Sequence, residues 1–230
     1  MTVAAVILAA SPETALADAD GTPAVRRLAS VAWSGGATPV VVCSFDPEGA
    51  VAAALANAEV TLVEPVDPGR GPLAQIVNGI EVAMSLVAET EAALVWPARL
   101  AWVDAETVTS LIAAFGDDRT AVTRPAWQGT VGWPALVPIR HLDALRGLGP
   151  ERMPDELLDD LAAAAVPFRN LETGDPGVTH DVAVPRLDLP PYDGPPEPAD
   201  VHAHEWGLAT ADEPDDVPPG GPGRRPASVV

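Results

Sequence analysis

The chain has 230 residues, 47% of them hydrophobic, and a net charge of −20. It can bury the core of one domain plus an appendage, has no apolar run near the roughly 18 residues of a membrane span, and carries the wrong charge for a nucleic-acid backbone or an anionic membrane surface. One cysteine, Cys43, excludes an internal disulfide framework, and the 13 basic residues are all arginine, so chemistry that needs a lysine, such as a Schiff base or a Walker-type phosphate clamp, is excluded too.

Val3 to Ala10 is an apolar run followed by a polar loop. Ala15-Leu16-Ala17 imitates a signal-peptide cleavage site, but the first positive side chain is Arg26, where a secretory signal wants a basic start. The run therefore reads as a buried strand, and the protein is expected in the cytoplasm. Pro23 to Trp33 has apolar residues at helical spacing and stops at Gly35-Gly36. Thr38 to Cys43 is a β-branched strand. Asp46-Pro47-Glu48 reads as a cap, proline and acid opening a helix to Asn57. Glu59 to Val63 is a short strand. Pro72 to Val87 is an amphipathic helix carrying Leu73, Ile76, Val77, Ile80, Met84 and Val87. Ala92 to Trp96 is a strand, and Asp104 caps a helix through Phe115 with Glu106 in its first turn.

Further on, Thr120 to Thr123 and Val131 to Val137 read as strands joined by an aromatic turn, Pro125 to Gly129. Helices are expected over His141 to Arg146 and Pro154 to Ala165, and a strand over Val166 to Leu171. Alternating strands and helices predict an α/β fold, three layers in Rossmann-like α/β/α order around a mostly parallel sheet, over residues 1–188. Ligands of such sheets sit outside the carboxyl ends of the strands. The loops at 10–22, 64–71, 97–103 and 174–184 are therefore the ones to inspect. From residue 189 the chain turns proline-rich and acidic, and residues 189–230 are expected to form an extended, partly disordered tail. Residues 190–206 also have an alternative reading, as a strap anchored by Tyr192 and Trp206.

Several segments, in order, resemble the MobA-like NTP transferases, the family of the molybdenum-cofactor guanylyl- and cytidylyltransferases. Val6-Ile7-Leu8-Ala9-Ala10 with its loop resembles the opening I-L-A-A-G-x-S-x-R-M-G-x-x-K, and Gly71-Pro72-Leu73-Ala74 resembles G-P-L-A-G. Residues 93–104 are similar to V-L-V-x-D-x-P-L-V-T, and Gly132 to Leu136 to G-H-P-V-L; His180-Asp181-Val182 with Pro185 resembles D-I-D-T-P-E-D. The resemblance covers residues 2–188 and implies a nucleotidyltransferase fold. It places nucleotide contacts at Leu8, Ala9, Ala10, Ser11, Gly71, Pro72 and Leu73; Arg70, in the Gly69-Arg70-Gly71 loop just before, is a candidate to face a phosphate or else a solvated charge. The resemblance also implies a magnesium ion if the chain is active, and Asp181 as catalytic and metal-binding carboxylate.

The departures from that pattern remove or reverse the charges the family uses. The family's loop glycine falls on Ser11, its serine on Glu13, its arginine on Ala15 and its lysine on Asp20. Its metal-binding aspartate falls on Arg99, its next proline on Ala101, and the second aspartate of D-I-D on Ala183. At an effective dielectric near 20, a unit charge about 4 Å from a phosphate is worth up to ~4 kcal/mol. Loss and reversal of such charges argue against the usual transfer reaction. Arg99 either takes the magnesium's place, facing a phosphate or Asp181, or pairs with Asp20 or Asp104 and merely holds its loop.

Trp96, Trp102, Trp127 and Trp133 are candidates to stack on a base or pterin, or else core fillers. His180 beside Asp181 is a candidate base pair or a structural hydrogen bond. The H-x-H-E run at 202–205 is a weak metal signal set against a solvated tail. Three functions stay open: a possible pseudoenzyme that binds a nucleotide or molybdopterin-like ligand or regulates an active relative; a transferase with a rearranged site using Arg70, Arg99 and Asp181; and a scaffold for a protein partner.

Overall fold

The computed structural model describes residues 1–9, 11–64 and 71–194. The expectations for Ala10, Arg70, the H-x-H-E run, Trp206 and the tail past Gly194 lie outside the described residues.

Eight strands form one sheet: β1 (Thr2–Ala9), β2 (Val40–Ser44), β3 (Thr61–Val63), β4 (Thr90–Pro97), β5 (Val122–Trp127), β6 (Thr130–Val131), β7 (Ala135–Pro138) and β8 (Phe168–Glu172). The order is β3-β2-β1-β4-β7-β5-β6, with β8 beside β5. β1 pairs in parallel with β2 and β4, and β8 with β5; β7 runs antiparallel to both its neighbours. The order reverses between β1 and β4, so the crevice for a ligand is expected above their carboxyl ends.

Among the described residues, seven α-helices flank it: α1 (Pro12–Leu16), α2 (Ala24–Ser34), α3 (Ala50–Ala54), α4 (Gly71–Leu86), α5 (Ala105–Asp117), α6 (Leu142–Arg146) and α7 (Pro154–Ala163). Alternation along β1 divides the core. Val3, Ala5, Ile7 and Ala9 join residues of α1, α2, α3 and α5, while Ala4, Val6 and Leu8 join α4, α6 and α7. The three-layer α/β expectation holds.

Three local expectations need correction. The helix expected from Pro47 begins only at Ala50, because Gly49 takes a left-handed φ of 73° before it. Asp46 still caps it across the turn, its two oxygens accepting from the N–H groups of Val51 and Ala52 at 3.0 and 2.8 Å. The buried stripe of α4 runs through Leu73, Ile76, Gly79, Ile80 and Ala83, not through Val77 and Met84. Gly79 explains the rotation: a Cβ there would lie 2.5 Å from Val6 Cγ1, so the helix meets the sheet through its small residues. The aromatic turn is mostly strand. β5 continues through Trp127, and only Gln128 and Gly129, at φ 48° and 77°, reverse the chain in a hairpin turn that suits strand twist.

Candidate functional site

At the switch point Leu8 and Pro97 are register partners, and the Ala98 N–H donates to the Leu8 carbonyl at 2.9 Å. The loop after β1 is filled by its own side chains. Ser11 caps α1, its hydroxyl accepting from the Thr14 N–H at 3.3 Å, and Ala15 and Ala19 enter the core at 0% and 1% exposure. The loop closes on a turn in which Asp18 accepts the Gly21 N–H, with Asp20 at φ 61° and Gly21 at φ 77°. Hydrogen bonds from Ser11 and from its own backbone hold the Glu13 carboxyl below the usual range. Alanine stands at the resemblance's arginine position because that position points inward here.

The loop after β4 has the opposite character. Arg99 is exposed; its Nη1 lies 3.7 Å from Asp181 Oδ2 and its Nη2 4.0 Å from Asp155 Oδ2. The expected pairings of Arg99 with Asp20 or Asp104 are not formed, and Asp104 instead caps α5, accepting from the Glu106 N–H at 3.1 Å. The Val182 N–H donates to the Arg99 carbonyl at 2.6 Å, so the 181–184 segment runs beside the loop. Asp181 Oδ1 accepts the Ala183 N–H at 2.9 Å.

Asp181 therefore has one oxygen on backbone and the other facing a guanidinium. Among the described residues no three His, Cys, Asp or Glu side chains gather to hold a metal ion. A divalent ion does not fit this donor set as it stands, because the nearest charge to the carried-over carboxylate is positive.

Most other expected contacts belong to the core. Leu8 and Leu73 are buried together, so only their backbones can meet a ligand. Gly71, at φ 74°, packs on the 150–151 backbone, where a Cβ would come 2.5 Å from the Pro150 carbonyl oxygen. Beside the start of α4 lies a cavity of about 540 Å³ lined by Leu73, Asn78, Glu81, Leu145 and Cys43 among others. Burial pushes the Cys43 thiol up to about 12, so it is no nucleophile near neutral pH.

Trp96 is fully buried and donates to the Leu100 carbonyl at 3.1 Å. Trp102 donates to the Val184 carbonyl at 2.9 Å, and Trp133 to Asp155 Oδ1 at 3.0 Å. All three are buried, Trp102 beside the Arg27 and Arg186 guanidinium groups, and none is an open stacking face for a base. Trp127 is half-buried, edge-on to His180 at 5.4 Å. His180 Nδ1 lies 2.6 Å from the Pro176 carbonyl oxygen, a structural contact at a turn.

Three residues are missed by the sequence reading. Asp155, in the first turn of α7, bridges Trp133 and Arg99. Arg124 donates through Nε to the Gly132 carbonyl and lies 5.2 Å over Trp133, with its pKa lowered by burial. Asp175 is 2% exposed and accepts from the Asp104 N–H, the Thr107 hydroxyl and the Gly177 N–H at 2.7–2.8 Å. Burial raises its pKa, against those hydrogen bonds. Only Asp175 leaves a trace in the sequence, as the Gly-Asp-Pro-Gly turn.

Solved structures share this architecture. A nucleotidyl transferase from Methanothermobacter superposes with a TM-score of 0.58 at 19% identity, covering 74% of this chain and 87% of the other. Rv0371c of Mycobacterium tuberculosis H37Rv, in complex with manganese, gives 0.59 at 18%, covering 78% and 94%. A CMP:2-keto-3-deoxy-manno-octonic acid synthetase complexed with CTP gives 0.56 at 16%, covering 79% and 91%. At such identities the likeness concerns the fold. No curated protein matches this chain in sequence. The model of the MobA-like NTP transferase domain matches residues 11–166, two thirds of the chain, and on that match the protein belongs to the MobA-like NTP transferase family.

Proposed function

We propose that this chain binds a nucleotide or a pterin-like ligand above the β1–β4 switch point without running the family's metal-assisted transfer, the Arg99 guanidinium being the cation of the site. The observation that carries this reading is Arg99 itself, held between Asp155 and Asp181 where the resemblance expects a metal-binding carboxylate. The filled first loop with its charged Glu13 supports it, since that loop offers a triphosphate no side-chain cation. The CTP complex of the synthetase shows a nucleotide on a similar fold.

What the chain's own residues do is hold Arg99 in place and close the first loop. A thermal-shift screen with GTP, CTP, ATP and UTP, each with magnesium or with EDTA, tests the reading. Stabilisation by one nucleotide in both conditions is expected. Stabilisation that appears only with magnesium, together with pyrophosphate release, would instead establish a working transferase.

A further inference from the structure

In a chain with 33 acidic side chains, arginines without a carboxylate partner stand out. Among the described residues, Arg26, Arg27, Arg124, Arg140 and Arg186 form no ion pair within 4.0 Å, whereas Arg99, Arg119, Arg146, Arg152 and Arg169 do. Two of the unpaired ones converge on one indole. Arg27, on α2, lies 5.6 Å from the Trp102 ring centroid, and Arg186, in the segment after Asp181, lies 5.9 Å from it.

Arg27 is half-buried and gives its Nε to the Ala101 carbonyl at 2.8 Å, which fixes the plane of its guanidinium. Its pKa is lowered, first by burial and then by the charge of Arg186. The acids that act on Arg27 are Asp20, Asp104 and Asp175, and none comes within 4.0 Å. Asp104 and Asp175 have oxygens engaged by the first turn of α5. The indole N–H is also taken, by Val184. Two like charges thus lie within 6 Å of one buried indole, and the charge of Arg186 acts on Arg27, an arrangement that cation–π attraction stabilises only in part.

We propose that Arg27 and Arg186 form an oxyanion site for a phosphate or pyrophosphate group, with Trp102 as the platform that sets the spacing of the two guanidinium groups. The bound anion neutralises the mutual repulsion, and guanidinium forks match phosphate oxygens in pairs. The site is built from α2 and from the segment after Asp181, not from the loop after β1. It deepens the nucleotide reading in one respect, because it names the cations that would hold a phosphate end, but pyrophosphate binding stands without that reading.

Isothermal titration of the full chain with pyrophosphate, in EDTA and at fixed ionic strength, tests the site. The variants are Arg186→Gln, at an exposed position, and Arg27→Gln, with thermal melts to show that each is folded. Saturable binding by the wild type, weakened at least tenfold in Arg186→Gln at an unchanged melting temperature, is the expected result. No saturable binding by the wild type, or equal binding by wild type and a folded Arg186→Gln, overturns the site. Titrating the nucleoside triphosphates in parallel separates the sources of the phosphate. An equal loss for triphosphate and pyrophosphate assigns the site to the nucleotide, and a loss for pyrophosphate alone assigns it to a free phosphate. Failure of every nucleotide to bind the wild type, with pyrophosphate still bound, refutes the nucleotide reading and leaves the site standing.

Discussion

The loops after β1 and after β4 lie side by side at the switch point and differ in almost every physical respect. The first is short of charge that a phosphate could use: it folds into α1, buries Ala15 and Ala19, and shows Glu13 and Asp20 to solvent. The second carries Arg99 outward and is fastened from behind by the 173–186 segment, through Asp175, Val182 and Trp102. In this member of the family the cations of the carboxyl edge therefore stand on the β4 loop, α2 and the chain after Asp181. A loop that has become part of the core cannot regain a charge by one substitution, whereas a fastened, exposed loop can exchange one freely.

The largest effect should come from forcing the first loop toward the family pattern. Ala15→Arg puts a long charged side chain into a position with no exposure. It should cost about 4 kcal/mol or more through overpacking and burial of charge. Chemical denaturation would measure the loss; a stable Ala15→Arg protein would mean that the loop opens easily and that its closed form is no barrier to phosphate.

Removing the fastening of the second loop should cost somewhat less. Asp175→Ala leaves the Asp104 and Gly177 N–H groups and the Thr107 hydroxyl without their acceptor, a loss of about 2–4 kcal/mol. The same residue sets a pH dependence. Its pKa is raised in the folded state, so the native chain binds the proton more tightly than the unfolded chain. Its protonation contributes stability below the ordinary aspartate range, and that contribution is lost as pH rises through the folded value. Asp175→Asn should flatten this part of the stability profile, and a profile identical to wild type would contradict the assignment.

How much of this contrast was legible in the sequence follows from range. Strand and helix positions come from local periodicity, so β1, β2, β4, α2 and α5 were within reach, as was the Asp104 cap. The bounds of α3 and the face of α4 were not, because Gly49 and Gly79 act through a turn and through contact with Val6. At the site, the reversal at Arg99 could be read by laying the family pattern on the chain, and its Asp181 partner was one of the named alternatives. Asp155 could not, since it reaches Arg99 from α7, 56 positions later in the chain, and nothing local to Pro154-Asp155 announces it.

The smallest effect belongs to the far end of the fastening segment. Tyr192 donates its hydroxyl to Glu106 at 2.8 Å near the surface, and Tyr192→Phe should cost less than about 1 kcal/mol. A loss in thermal melts as large as that of Asp175→Ala would mean that residues near 192 hold the second loop as firmly as Asp175 does.

Arg99 is proposed to supply the positive charge of the site. The most direct measurement is calorimetric titration, in EDTA, of wild type and Arg99→Gln with the nucleotide that stabilises the protein best. Metal-independent binding by the wild type is expected, weakened at least tenfold by Arg99→Gln, roughly the value of one well-placed charge–phosphate contact. Wild-type binding that disappears in EDTA, with Arg99→Gln binding as tightly as wild type once magnesium is restored, would contradict it.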